Sequence, residues 1–517
     1  MAHLAATLLL NPIEMKQMLH LAFLLFILNA YGQKEDYVWV LGGTNDSGSI
    51  FSTSIINFNV SPPSIKLNYA FNDFSWTNTN ISDPEGNLMC YSNGVHLFNS
   101  QGEIIENGDE FQSSSSYSNG YIAIQGGLII PYSDHPNQLI FILCDFFSYL
   151  NGGFPDTGCS PLTYSIINME ENEGAGKVLE KKIPLTYDTL MFGQLTSVKH
   201  GNGRDWWVIA PPMDGSKRFH KFLANPQGIL WDHSQEVGEA FEPGLGQAAI
   251  SPDGSWLAQY NAWGIIPIYT YTEIDLYRFD RCSGTLSNHI QVIDTIGLPG
   301  GVSFSPNSRY MYTSHWDKIY QWDLESSDIE ASRTVVAEYE GFLDENNLST
   351  RFYNMKLGPD GKIYISVPNH PSRYLHVIDQ PDSAGIACNV LQHSVLLPTY
   401  NLFSLPHHPV TRLGVMEGSP CDTILSASET PMADEEEEWS LYPNPAGSSV
   451  VLSCAMPQSG PVSWILYDAL GREVRRKNLP AGYTEMEVSM EGLGKGLYFY
   501  RLEREGEVVW VGKLAVE

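Results

Sequence analysis

A chain of 517 residues that is 43% hydrophobic and 12% aromatic has the apolar material for more than one packed core, which excludes a disordered protein. A formal charge of −30 argues against nucleic acid as a partner, because a polyanion repels phosphate backbones. Seven cysteines without CxxC spacing are too few for a disulfide scaffold and offer no zinc motif.

Met15 opens MKQMLHLAFLLFILNAYGQ, in which a lysine precedes an apolar run at 19–28 and then small residues. Ala30 and Gly32 fit a signal-peptidase site before Gln33, and the run is too short to be a permanent membrane anchor. Residues 1–32 are therefore expected to form a signal peptide starting at Met15, with no transmembrane segment after it.

From residue 33 to 424 a repeat dominates. Six segments share one plan: an apolar strand, a tight polar turn, a second apolar strand, a loop, and an aromatic strand. The turns are DPEG (83–86), HPNQ (135–138), HGNG (200–203), SPDG (251–254), SPNS (305–308) and GPDG (358–361). Their third residues are spaced by 52, 65, 51, 54 and 53. The one long step holds the Gly/Pro-rich insertion NGGFPDTGCSP (151–161), read as a loop flanked by Cys144 and Cys159. A disulfide or two buried thiols would suit that pair equally well. In five of the turns a proline at the second position presets φ, and the Gly-containing ones tolerate a sharp reversal. About fifty residues and four strands make one blade of a β-propeller, and a ring of blades removes the exposed sheet edges that a lone blade would carry. The unassigned strands YVWVLGG (37–43), SIFSTSIINF (49–58) and VLLPTYNLFSLP (395–406) are expected to combine into a seventh blade that zips the ring closed. The SPDG turn and the aromatic strands ending in Asp resemble the Trp-Asp and Tyr-Val-Thr-Asn types of propeller repeat.

Residues 425–438 contain five consecutive acids, Asp434 to Glu438, that repel one another and read as a linker. Beyond it, 439–517 alternates strands and turns as a small immunoglobulin-like β-sandwich would. The expected fold class is thus all-β, a seven-bladed propeller followed by a sandwich. The tail carries Tyr442-Pro443-Asn444-Pro445, a Tyr467-Asp468 strand followed by Gly471-Arg472, a Leu493-Gly496-Tyr498 stretch, and Gly512-Lys513-Leu514 near the end. In this order the motifs resemble the type A-like C-terminal sorting domains of type IX secretion cargo in Bacteroidota. The resemblance implies passage through the periplasm, handling by the type IX machinery, and a place on the outer surface or in the medium. Tyr442, Pro443, Asn444, Pro445, Asp468, Gly471, Tyr498, Gly512 and Lys513 are the residues that carry it.

No catalytic motif stands out: GxSxG, HExxH, P-loop and EF-hand patterns are absent from the sequence. SPDGSW (251–256) resembles the Asp-box of sialidases but lacks its spacing, so it reads as a blade turn. His407-His408, with side chains pointing apart, is a poor metal pair, and no cofactor or metal is expected. A binding rim is the better expectation, on the face where inner strands start and second strands turn into third strands. Gln125, Gln194, Gln247 and Asn354 belong at inner-strand starts, with Trp263, His315, Trp316, Asp317, Asn369 and His370 on neighbouring loops. Aromatics and amides around one funnel suit a glycan, peptide or protein ligand. Two alternatives stay open: a propeller hydrolase or lyase using His315 with Asp317, and a structural or adhesive surface component.

Overall fold

The computed structural model describes residues 33–42, 53–68, 74, 76–111, 120, 123–151, 154–240, 244–265, 268–294, 300–368, 370–422, 439–443, 445–454, 461–468, 472–480, 482, 484–504 and 507–516. The expected signal peptide and acidic linker lie outside these residues. The chain divides into two compact units between Ile424 and Leu425.

Among the described residues the first unit is a propeller of seven antiparallel sheets, each a simple meander in chain order. Blades 1 and 2 (38–68 and 79–99) show three strands among the described residues, and blades 3 to 7 (127–186, 196–236, 245–294, 300–338 and 355–401) show four. First strands such as Val38–Gly42 and Gly300–Phe304 are buried along their whole length, as the innermost strand of a ring must be. In blades 2 to 7 the six polar turns all join the first strand to the second. Two of them show why Ser-Pro-Asp/Asn recurs. Ser251 Oγ donates to Asp253 Oδ1 (2.5 Å) and accepts from Trp256 N (2.9 Å). Ser305 does the same with Asn307 and Tyr310. The turns also stitch neighbours together, because Asp253 N donates to Ser308 Oγ and Asn307 N to Asp382 Oδ1.

Two expectations are corrected. The ends of the repeat region do not share a blade. Thr53–Asn57 pairs with Val38–Gly42 and Ser64–Asn68, whereas Val390–Asn401 pairs with Ser372–Ile378 and completes blade 7. The ring closes instead by packing. Trp39 meets Phe58 and Tyr364 edge-on at 5.0 and 5.2 Å, and Ser54 Oγ lies 2.6 Å from Thr399 Oγ1. The insertion in blade 3 is not a loop but an extended hairpin, Gln138–Asn151 against Phe154–Asn168. Asn151 pairs with Phe154 at the tip of this hairpin. Cys144 and Cys159 remain buried thiols, hydrogen-bonded to each other. The disulfide joins Cys282 to Cys421.

The second unit is a two-sheet sandwich. One sheet holds Trp439–Tyr442, Ser449–Cys454 and Glu485–Ser489; the other holds Glu473–Leu479, Val462–Tyr467, Gly496–Arg504 and Glu507–Val516. Strict alternation of burial along Ser449–Cys454 sends Val450 and Leu452 into a core with Trp464, Leu466 and Leu502. Among the described residues no helix is long and apolar enough to cross a membrane.

Candidate functional site

Of the residues singled out in the sequence, Trp316 and Asp317 are brought together, in one turn of blade 6. His315 pairs with Lys318, which leaves Trp316-Asp317 as a two-residue turn between the second and third strands of blade 6. Trp316 has φ 54°, a conformation that hairpin turns normally give to glycine. Its carbonyl accepts from Phe352 N at 2.9 Å, just ahead of the first strand of blade 7. The Arg351 guanidinium lies over the Trp316 ring, 5.9 Å from its centroid, and pairs with the Asp317 carboxylate. His370 Nε2 sits 3.4 Å from Asp344 Oδ2, and burial lowers its pKa against the opposing pull of that carboxylate.

The other candidates are placed differently. The His315 ring is buried between Tyr260 and Tyr320, and Nε2 is bonded to Thr313 Oγ1 at 3.1 Å. Burial drops its pKa to about 4, so it is neutral and engaged apart from Asp317. The three glutamines tie blades together, Gln125 and Gln247 through inner strands and Gln194 through the second strand of blade 5. Gln125 Nε2 donates to Ala248 O and Oε1 accepts from Ala248 N, both at 2.8 Å, linking blade 3 to blade 5. Gln247 donates to Met355 O and accepts from Val302 N and Met355 N, linking blade 5 to blades 6 and 7. Gln194 donates to Tyr260 O and accepts from Gln259 Nε2. These ties need bare backbone beside them: a Cβ on Gly301 would stand 2.2 Å from Gln247 Oε1. Asn354 is buried at the channel, Trp263 belongs to the strand Trp256–Ile265, and Asn369 lies outside the described residues.

A second feature was not foreseen. After blade 7 the chain crosses the ring and touches inner strands in turn. His407 N donates to Asn78 O, Thr79 Oγ1 donates to His407 O, and His407 Nδ1 is 3.0 Å from Gly127 O. Val410 N then bonds Ser197 O, Met416 N bonds Gly201 O, and Arg281 Nη2 donates to Gly414 O. The Cys282–Cys421 disulfide fixes the end of this crossing. Between it and the inner strands of blades 5 to 7 lies a cavity of about 570 Å³. Lys356, His408, Arg412 and Asp36 line it. Arg412 Nη2 pairs with Asp36 Oδ2 at 2.7 Å. Burial and the nearby Lys356 charge drop His407 to about 3 and hold His408 well below its ordinary value, so both rings are neutral. Among the described residues no group of three His, Cys, Asp or Glu is placed to hold a metal ion. One signal of the cavity was available in the sequence: Lys356 is a lone cation inside the apolar inner strand YNMKL.

In the sandwich, the motif residues divide by exposure. Tyr442 and Pro443, joined by a cis peptide bond, are exposed with Pro445 and Lys513. Asp468 closes a short turn by accepting from Arg472 N at 3.0 Å and Arg472 Nε at 2.7 Å. Tyr498 Oη donates to Gly494 O. Gly512 lies opposite Tyr500 in register, and a Cβ there would meet the tyrosine hydroxyl at 2.3 Å. Asn444 and Gly471 lie outside the described residues.

Residues 440–517 match the family model described as the secretion system C-terminal sorting domain. Such a domain implies handling by the type IX machinery and export to the cell surface or medium. No curated protein sequence matches the chain. Among solved structures, the chain is similar to a functionally unknown protein from Desulfotomaculum acetoxidans, with 14% identity over 72% of this chain and 99% of that one, at a TM-score of 0.38. A protein from Lactobacillus plantarum shares 11% identity over 72% and 99%, at 0.41. The periplasmic gluconolactonase of Pseudomonas aeruginosa shares 14% over 73% and 96%, at 0.32.

Proposed function

We propose that this is type IX secretion cargo of a Bacteroidota-type cell, made with the signal peptide 1–32, and that its propeller is a binding module that performs no chemistry. Its ligand is an extracellular glycan, peptide or protein held at the rim of blades 6 and 7 by Trp316, Asp317 and His370. The observation that carries the binding reading is Trp316 itself. A bulky residue at φ 54° costs on the order of 1–3 kcal/mol, and a glycine in that turn would remove the cost. Strain kept in a half-buried aromatic under an arginine supports a role that glycine cannot fill. The separate engagements of His315 and Asp317 favour binding over acid–base catalysis.

The test is Trp316→Gly. Binding of the purified protein to a panel of acidic and neutral polysaccharides and to a peptide array is compared before and after the change. The variant is expected to melt no lower than the parent while losing its ligand. If it melts no lower and binds the same targets equally well, the rim assignment is wrong.

A further inference from the structure

The channel cavity has a charge imbalance at Lys356. Its ammonium has no hydrogen-bond or ion-pair partner among the described residues. The carboxylate acting on it, Asp36, is already paired with Arg412. The groups facing it from the crossing segment are His407 and His408, both neutral, and Arg412, which repels it. Asp253, at the blade 5 turn, is held ionised: hydrogen bonds from Ser251, Ser255 and Ser308 outweigh its burial. The rest of the wall mixes apolar side chains, Ala249, Leu357, Leu405 and Val410 among them, with the amides of Gln125, Gln247 and Asn354.

An unpaired ammonium in such a place is expensive unless something supplies the opposite charge. A volume of about 570 Å³ is of the size that small organic molecules occupy. We propose that the cavity is a binding site for a small organic anion, a carboxylate with a compact apolar body, whose charge rests on Lys356 Nζ. This site is separate from the blade 6 and 7 rim and does not depend on it. The crossing segment 402–422 forms one wall, so the disulfide that fixes it also fixes the site.

Benzoate and benzamide, nearly equal in shape and different in charge, are suitable probes for calorimetry on the full exported protein. Benzoate is expected to bind one to one and benzamide at least about tenfold more weakly. Lys356→Met should abolish the difference, and Lys356→Arg should keep much of it. On the unaltered protein, benzoate affinity should fall as pH rises past about 8, where burial has brought the Lys356 pKa. Equal affinity for the two probes, no binding of either up to millimolar concentration, or unchanged benzoate binding in a folded Lys356→Met would each overturn the site. Loss of polysaccharide or peptide binding in Trp316→Gly is read separately, so failure here leaves the rim reading standing.

Discussion

The two units contrast in where their charge lies and in what their surface residues do. The sandwich carries eight Lys and Arg against nine Asp and Glu, so nearly all of the −30 belongs to residues upstream of it. The sandwich also displays most of its described motif residues: Tyr442, Pro443, Pro445 and Lys513 are exposed, while Gly512 is there because Tyr500 leaves no room for a side chain. In the propeller the recurrent residues are mostly inward and structural: the turn serines and the cross-channel glutamines bond to the ring itself. A motif that a machine must read stays on the outside, and a motif that makes a ring closes on itself.

The largest test of this contrast is to remove the sandwich. Deleting residues from Trp439 onward should leave a folded propeller trapped in the periplasm, because the ring's sheets are built from strands that precede the sandwich. Grafting residues 425–517 onto a reporter with a signal peptide should send that reporter to the surface. Fractionation of a host that has the type IX system reads both outcomes, and normal surface delivery of the truncated protein would break the assignment.

A point change in the sandwich core should act almost as strongly. Trp464 is fully buried among Leu466, Leu502 and Val450. Trp464→Ala is expected to cost about 3–5 kcal/mol, comparable with the whole stability of a domain this small. Calorimetry should show the sandwich transition lost and the propeller transition unmoved, with export failing. The converse change removes the Cys282–Cys421 disulfide, which spans 139 residues. The double Ser variant should lower only the propeller transition, by about 2–4 kcal/mol. Equal shifts in both transitions would show that the two units do not melt independently.

How much of this could be read from sequence follows the same division. The blade period was legible because six turns each join a first strand to a second, and their chemistry is local. The tail was legible because its motifs are short and ordered. Ring closure was not: the seam depends on Trp39, Phe58 and Tyr364, which are more than three hundred residues apart at the extremes and carry no pattern. The crossing segment has no periodicity, and several of its bonds join backbone groups that any sequence supplies. The insertion in blade 3 was not legible because its Gly and Pro content fits a loop as well as it fits the hairpin of Gln138–Asn151 with Phe154–Asn168. At the blade 6 turn, Trp316 bridges Phe352, a residue that no sequence signal marks. What each glutamine amide bonds to is decided one or two blades away, where no local rule reaches.

The smallest expected effect concerns pH and belongs to the propeller transition. Burial lowers the Lys356 pKa from 10.5 to about 8. The folded state therefore binds fewer protons at this site than the unfolded state between about pH 8 and 10.5. Stability rises with pH wherever the unfolded state binds more protons, so the penalty for burying the charged lysine is fully present below about pH 8 and fades above it. Its size is on the order of 1–3 kcal/mol, since one pKa unit corresponds to about 1.4 kcal/mol and the cavity leaves the group partly hydrated. Lys356→Met should accordingly raise the propeller melting temperature at pH 7, and the gain should shrink as pH approaches 10. Other groups titrate in this window, so the quantity to follow is the difference between parent and variant. A gain that is independent of pH would mean that the methionine merely packs better, and a loss at pH 7 would mean that the ammonium has a partner that stabilises it. Saturating benzoate should narrow the same difference at pH 7, because a bound anion would offset in the parent the cost that methionine removes in the variant.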